Sequence, residues 1–183
     1  MNMWFTLTVV VLGLGAVISI VWTSWRNGIS PMPASALVRQ AVANEVNRLQ
    51  GTGTLVEAGS GWGTLGIHLA RHCQGWRVVG VENSPVPLRA SQLLVRLHFG
   101  VDAKAWAAFR RGNIYSWSYT DASVVVCYLY PGAMQRLSPI LSRQLMPGAL
   151  VISVCFALPG WTPERVVTCR DLYRTKVYVY HVK

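Results

Sequence analysis

The chain has 183 residues, enough for one domain of ordinary size and too few for a two-domain dehydrogenase. Its apolar content of 52 % and mean hydropathy of +0.33 are high for a soluble protein and point to a membrane segment. A net charge of +10, mostly arginine, suits an anionic lipid surface or nucleic acid, but the basic residues are scattered and no nucleic-acid module is legible, which argues against nucleic acid.

Residues 3–22 carry no charged side chain and, as a helix, would span about 30 Å, the thickness of a bilayer core. Trp4 stands at one end, Trp22 and Trp25 at the other, where indoles favour the headgroup region. The segment lacks the basic start of a signal peptide, and Ala16-Val17-Ile18 is a poor cleavage site. Arg26 and Arg39 follow it and no basic residue precedes it, so the positive-inside rule predicts a single-pass membrane protein with residues 26–183 on the cytoplasmic side. Residues 23–33, with Pro31 and Pro33, read as a linker to a domain over residues 34–183.

Apolar side chains at Leu37, Val38, Ala41, Val42, Val46 and Leu49 trace one face of a helix within 34–49. A strand at 54–56, a glycine-rich turn and a helix at 64–71 follow, then a strand at 76–81 and a helix at 85–99. A third strand is expected within 103–109, a fourth at 122–129, and a helix over 132–145 that stops at Pro147-Gly148. The apolar run 149–158 predicts a fifth strand, and 166–169 with 176–182 a closing pair. This alternation predicts an α/β, Rossmann-like, mainly parallel sheet with C-terminal antiparallel strands, preceded by one transmembrane helix.

The turn after the first strand admits two cofactors. Gly61-x-Gly63-x-x-Gly66, with Glu82 about 20 residues on, matches a dinucleotide fingerprint. Glu57-x-Gly59-x-Gly61-x-Gly63 instead suits S-adenosyl-L-methionine, whose ammonium group would meet the carboxylate at the end of the strand. A pyrophosphate would be repelled by that carboxylate. Glu57 and the helix ahead of the first strand therefore favour S-adenosyl-L-methionine.

Glu82, just after the second strand, is placed to accept from both ribose hydroxyls; otherwise it is a solvated loop acid. Asn113, after the third strand, stands where an adenine amino group would be met, or is a turn residue. Trp62 either lies over the cofactor or covers the loop. Tyr128 and Tyr130 end the fourth strand where a reactive methyl group would sit; they could desolvate an amine, or belong to the core. Trp161 leaves the fifth strand on the same side and could close the pocket. Cys73, Cys127, Cys155 and Cys169 show no CxxC spacing and read as buried free thiols, while His68 and His72 lack a nearby carboxylate, so no metal is expected.

Glu57-Ala-Gly-Ser-Gly-Trp-Gly63, Val79-Gly-Val-Glu82-Asn83 and Ala157-Leu-Pro-Gly-Trp161-Thr-Pro163 together resemble the class I, seven-strand methyltransferases. The last motif and the apolar N-terminus narrow the resemblance to small membrane-anchored lysine methyltransferases, whose mitochondrial members modify the ATP synthase c-subunit and the adenine nucleotide translocase, and to their archaeal and bacterial relatives. It covers the chain from Pro31 to the C-terminus. The resemblance implies that Glu57, Gly59, Gly61 and Gly63 contact the methionine part of the cofactor, Glu82 the ribose and Asn113 the adenine. This chain departs from the family in having Asn113 where Asp is usual and Trp62 where the lysine enzymes often carry Asp. The implied activity is N-methylation of lysine in a membrane or membrane-proximal protein. Methylation of a lipid, quinone or other apolar small molecule is the alternative, and a non-catalytic cofactor-binding subunit a third.

Overall fold

A computed structural model describes residues 2–27, 33–49 and 51–183. Seven strands build one sheet: β1 (Gly53–Ala58), β2 (Trp76–Glu82), β3 (Ala107–Arg111), β4 (Ala122–Cys127), β5 (Leu150–Val154), β6 (Arg165–Thr168) and β7 (Lys176–His181), in the spatial order β3-β2-β1-β4-β5-β7-β6. The first five pair in parallel, and β7 runs antiparallel between β5 and β6. The chain steps outward from β1 to β3, then returns to lay β4 on the other edge of β1. The carboxyl ends of β1 and β4, with Ala58 opposite Cys127, thus flank the point where the strand order reverses, which is where open α/β sheets bind ligands.

The helices are α1 (Met3–Asn27), α2 (Ala36–Asn47), α3 (Thr64–His72), α4 (Pro85–Phe99), a single turn α5 (Ala103–Trp106) and α6 (Pro131–Gln144). β4 and β5 are mostly apolar and buried at nearly every position because both faces of the sheet are covered. Leu55, Val124, Val126 and Ile152 pack with α2, α3 and α4 on one face, and Val56, Val125 and Val151 pack with Met134, Leu137 and Leu141 of α6 on the other. Local signals set the helix starts: Ser35 accepts from the Val38 N–H at 3.3 Å, and Pro85 and Pro131 occupy first-turn positions where no N–H is needed.

Several boundaries differ from the sequence reading. Residues 103–106 form α5, because Ala-Lys-Ala-Trp are adequate helix formers, and β3 begins only at Ala107. β4 ends at Cys127, ahead of the turn into α6, and β5 ends at Val154 because Cys155 takes a left-handed φ of 73° that no strand can continue. α1 runs unbroken to Asn27. Its Met3–Trp25 stretch is long and apolar enough, by length and composition, to cross a membrane, and the helix contacts α4. Of the expected linker, Pro31 lies outside the described residues and Pro33 inside them.

Candidate functional site

The turn after β1 is held by backbone hydrogen bonds from the Gly59 and Ser60 N–H groups to the Val81 carbonyl, each 3.0 Å, and from Gly63 to Ser60 at 2.8 Å. Two glycines here are obligatory in geometry. Gly59 has φ 77° and a Cβ there would lie 2.7 Å from Leu129; Gly63 has φ 74° and a Cβ would lie 2.6 Å from Ser91. The turn is locked from the neighbouring strand by Glu82, whose Oε2 accepts from the Gly61 N–H at 2.8 Å and whose Oε1 accepts from the Ser84 N–H at 2.7 Å. A carboxylate has about four lone-pair directions, so both oxygens retain acceptor capacity for a diol.

Glu57 is buried beneath this turn, and its Oε2 has no hydrogen-bond partner. Burial pushes its carboxyl up to about 8; the Gly66 N–H opposes this shift and the nearby Glu82 adds to it. A buried acid without a counter-charge is costly to ionise, and a cationic group brought against it would restore the carboxylate. Gly66 provides the room, since a Cβ at that position would lie 2.5 Å from Glu57 Oε2.

These residues line a cavity of about 300 Å³ that opens at the β1 and β4 ends of the sheet. Glu57, Gly59, Gly61, Trp62, Glu82, Asn113, Tyr128 and Tyr130 all border it. Gly63 stays behind the wall as the residue from which α3 starts. Asn113 uses its Oδ1 to accept from the Tyr115 N–H at 3.0 Å, an Asx turn that leaves its amide N–H groups as the donors it can offer. Burial raises the Tyr128 hydroxyl above its ordinary range, with Cys155 and Asp171 adding to the shift.

Trp161 does not border the cavity, contrary to the expectation that it closes it. Its Nε1–H donates to Ser138 Oγ at 3.0 Å on α6, and its ring meets Tyr180 edge-on at 6.0 Å. The same segment is pinned again where the Leu158 N–H donates to the Tyr180 hydroxyl at 2.7 Å. The Pro-Gly-Trp motif therefore ties the β5–β6 connection to α6 and β7.

The cavity also has further walls, of which Tyr115, Arg136 and Cys155 were missed by sequence reasoning. Tyr115 lines it beside Tyr130, and the Arg136 guanidinium sits 3.9 Å over the Tyr115 ring. Cys155 and Phe156 line the opposite side, and Pro33 and Ala34 reach it from the chain ahead of α2. Only the left-handed turn at Cys155 and the site's aromatic character link these residues, and neither leaves a periodic signal.

Residues 57–165, more than half of the chain, match the family model of the ANTKMT methyltransferase domain. The chain belongs to this methyltransferase family. It is 27 % identical to a protein-lysine N-methyltransferase of Saccharolobus islandicus over 69 % of this chain and 77 % of the relative. It is 35 % identical to the adenine nucleotide translocase lysine N-methyltransferase of Mus musculus over 69 % of this chain, spanning only 54 % of that relative's length. The crystal structure of an RNA methyltransferase from Salinibacter ruber, in complex with S-adenosyl-L-homocysteine, aligns with a TM-score of 0.72 and 31 % identity, covering 82 % of this chain and 94 % of that one. The ANTKMT-type chain is thus an S-adenosyl-L-methionine-dependent methyltransferase with the class I fold, and the dinucleotide alternative falls away. Its cavity fits that cofactor: the orphaned Glu57 carboxyl suits an ammonium group, and Gly59 and Gly61 line the cavity with backbone alone.

Proposed function

We propose that this chain is a membrane-anchored protein-lysine N-methyltransferase. The observation that carries the reading is the aromatic wall of Tyr115, Tyr128, Tyr130 and Phe156 on the same cavity as Glu57 and Glu82. The lysine-methylating relatives support the choice of amine.

When bound, S-adenosyl-L-methionine supplies a methyl group already activated on a sulfonium. In this proposal Glu57 holds the ammonium end and Glu82 the ribose hydroxyls, while Gly59 and Gly61 let the methionine part approach the backbone. Asn113, in place of the usual Asp, donates its amide N–H to an adenine ring nitrogen. Tyr128 and Tyr130 exclude water from the incoming amine and favour its neutral form by desolvation, so the lone pair points at the methyl carbon. The nitrogen–carbon bond forms as the carbon–sulfur bond breaks, and the amine proton leaves to water. Positioning and desolvation provide most of the acceleration.

Anchoring rests on the Met3–Trp25 run, with the domain on the cytoplasmic side by the positive-inside rule. Asn27 and Pro33 are six residues apart, which at full extension reaches about 20 Å. Since Pro33 lines the cavity, the reactive end lies close to where α1 ends, and a lysine near the bilayer surface is the substrate in reach.

A second reading, an RNA substrate, is favoured by the name of the Salinibacter ruber structure and by the net charge of +10. Incubating the purified full chain with methyl-labelled cofactor, total cell membranes and total RNA, then separating protein, lipid and RNA, tests these readings. Label on lysine of a protein is expected. Label confined to RNA or to lipid would reject the proposal, and cofactor binding without any label would favour a non-catalytic subunit.

A further inference from the structure

α4 is amphipathic, yet its outward face is not polar. Pro87, Leu88, Ser91 and Val95 point inward and are buried, whereas Leu93 and Leu97, one turn apart on the outside, are 58 % and 72 % exposed. The exposed apolar line continues past the end of the helix through Val101, which is 99 % exposed, to Trp106, whose ring stacks on Phe99 at 6.3 Å. Arg89, Arg96 and Lys104 are exposed along the same stretch, and α4 contains no acidic residue. α1 packs against this helix, so α4 adjoins the one segment among the described residues that is long and apolar enough to cross a bilayer.

Exposed leucines beside arginines and a tryptophan are what an interfacial helix presents to lipid: the apolar groups enter the boundary of the acyl chains while the cations meet phosphate. A protein partner would leave the charge pattern and the contact with α1 as separate coincidences. We infer that the outer face of α4 and the α4–α5 corner, centred on Leu93, Leu97, Val101 and Trp106, lies on the surface of an anionic bilayer. This contact fixes how the methyltransferase domain is oriented on its membrane. The inference rests in part on reading α1 as a membrane span, and the experiment separates the two.

The full chain carries a fluorescent amino acid introduced by amber suppression at position 97, or as a control at position 142 on α6, across the sheet. Each protein is reconstituted into vesicles of equal parts phosphatidylcholine and phosphatidylglycerol, with brominated acyl chains as quencher. The label at 97 is expected to lose most of its emission and the label at 142 to keep it. Combining Arg89→Glu, Arg96→Glu and Lys104→Glu is expected to restore emission at 97 while the protein still pellets with the vesicles after alkaline washing. Full emission from 97 in a chain that resists the wash overturns the inference and leaves the anchor intact. Quenching at 97 in a chain that the wash removes supports the docking face and rejects the anchor. Shielding of 97 from iodide without quenching by lipid bromine means that protein covers the face, and also overturns the inference.

Discussion

The Glu57 carboxylate occupies the space that a side chain on Gly66 would need: a Cβ there would lie 2.5 Å from Oε2 and 3.2 Å from the Phe109 ring. The glycine that completes a dinucleotide-like fingerprint in the sequence thus makes room for an acid. Gly66→Ala is expected to displace that acid and raise the Kd for S-adenosyl-L-homocysteine about 10- to 100-fold, with the far-UV circular dichroism unchanged. Calorimetric titration checks it, and an unaltered Kd would remove Glu57 from the binding site.

Glu57 also sets a pH dependence. Its carboxyl is raised from 4.5 to about 8 in the fold, so stability held by the neutral form is complete below about 4.5 and is lost as pH rises through about 8. The cofactor-free chain should melt at lower temperature at pH 8 than at pH 5 by this contribution, and Glu57→Gln should flatten the difference, adding ~1–3 kcal/mol at the upper end. Binding of an ammonium group requires the ionised acid, so affinity should climb with pH toward about 8 and binding should release a proton. Calorimetry in buffers of differing ionisation heat measures that proton; no release would contradict the assignment.

Glu82 has two functions in the geometry, a lock for the turn through Gly61 and Ser84 and an acceptor facing the cavity. Glu82→Ala should weaken cofactor binding by about 1–3 kcal/mol and also lower the melting temperature, because two backbone donors lose their acceptor. A change in stability with an unchanged Kd would leave only the lock.

In the proposed function Tyr128 and Tyr130 stand at the reacting end of the cavity. Alanine at either position should lower kcat about 10- to 100-fold while cofactor affinity changes by less than about threefold. Single-turnover rates and equilibrium titration separate the two effects. Loss of cofactor binding with retained turnover would reverse the proposed polarity of the cavity.

Trp161 behaves as a brace. Trp161→Phe removes the bond to Ser138 and should cost about 1 kcal/mol of stability, with kcat and cofactor Kd at their original values. A drop in kcat without a change in stability would return Trp161 to the pocket.

That Glu57, the glycine turn and Glu82 would meet at one cavity was legible in sequence because it depends on local order: a strand, an acid at its end and glycines in the turn, with Glu82 one strand later. Both acids stand out in a chain that has seven. The substrate end was legible only in part. Tyr128 and Tyr130 could be placed because they directly follow β4 at the sheet's reversal, whereas Tyr115 and Arg136 meet across segments with no shared period. Trp161 was misplaced because its partner, Ser138, is 23 residues away on α6, and which way an indole turns is decided by that packing. Cys155 ends β5 through a left-handed conformation uncommon for a non-glycine residue, so the apolar run after it reads as strand.

Although β7 is made last, it lies between β5 and β6 and supplies the hydrogen bonds of both. During synthesis the edge of β5, an entirely buried apolar strand, stays open until residues 176–181 emerge, while α1 has long since left the ribosome. A long, flat, apolar edge is the surface on which unfinished chains aggregate. Premature termination before Lys176 would therefore do more than trim a tail: it would leave β6 without its partner and one edge of β5 open, and the truncated chain should be insoluble or degraded even though every residue of the glycine turn is present.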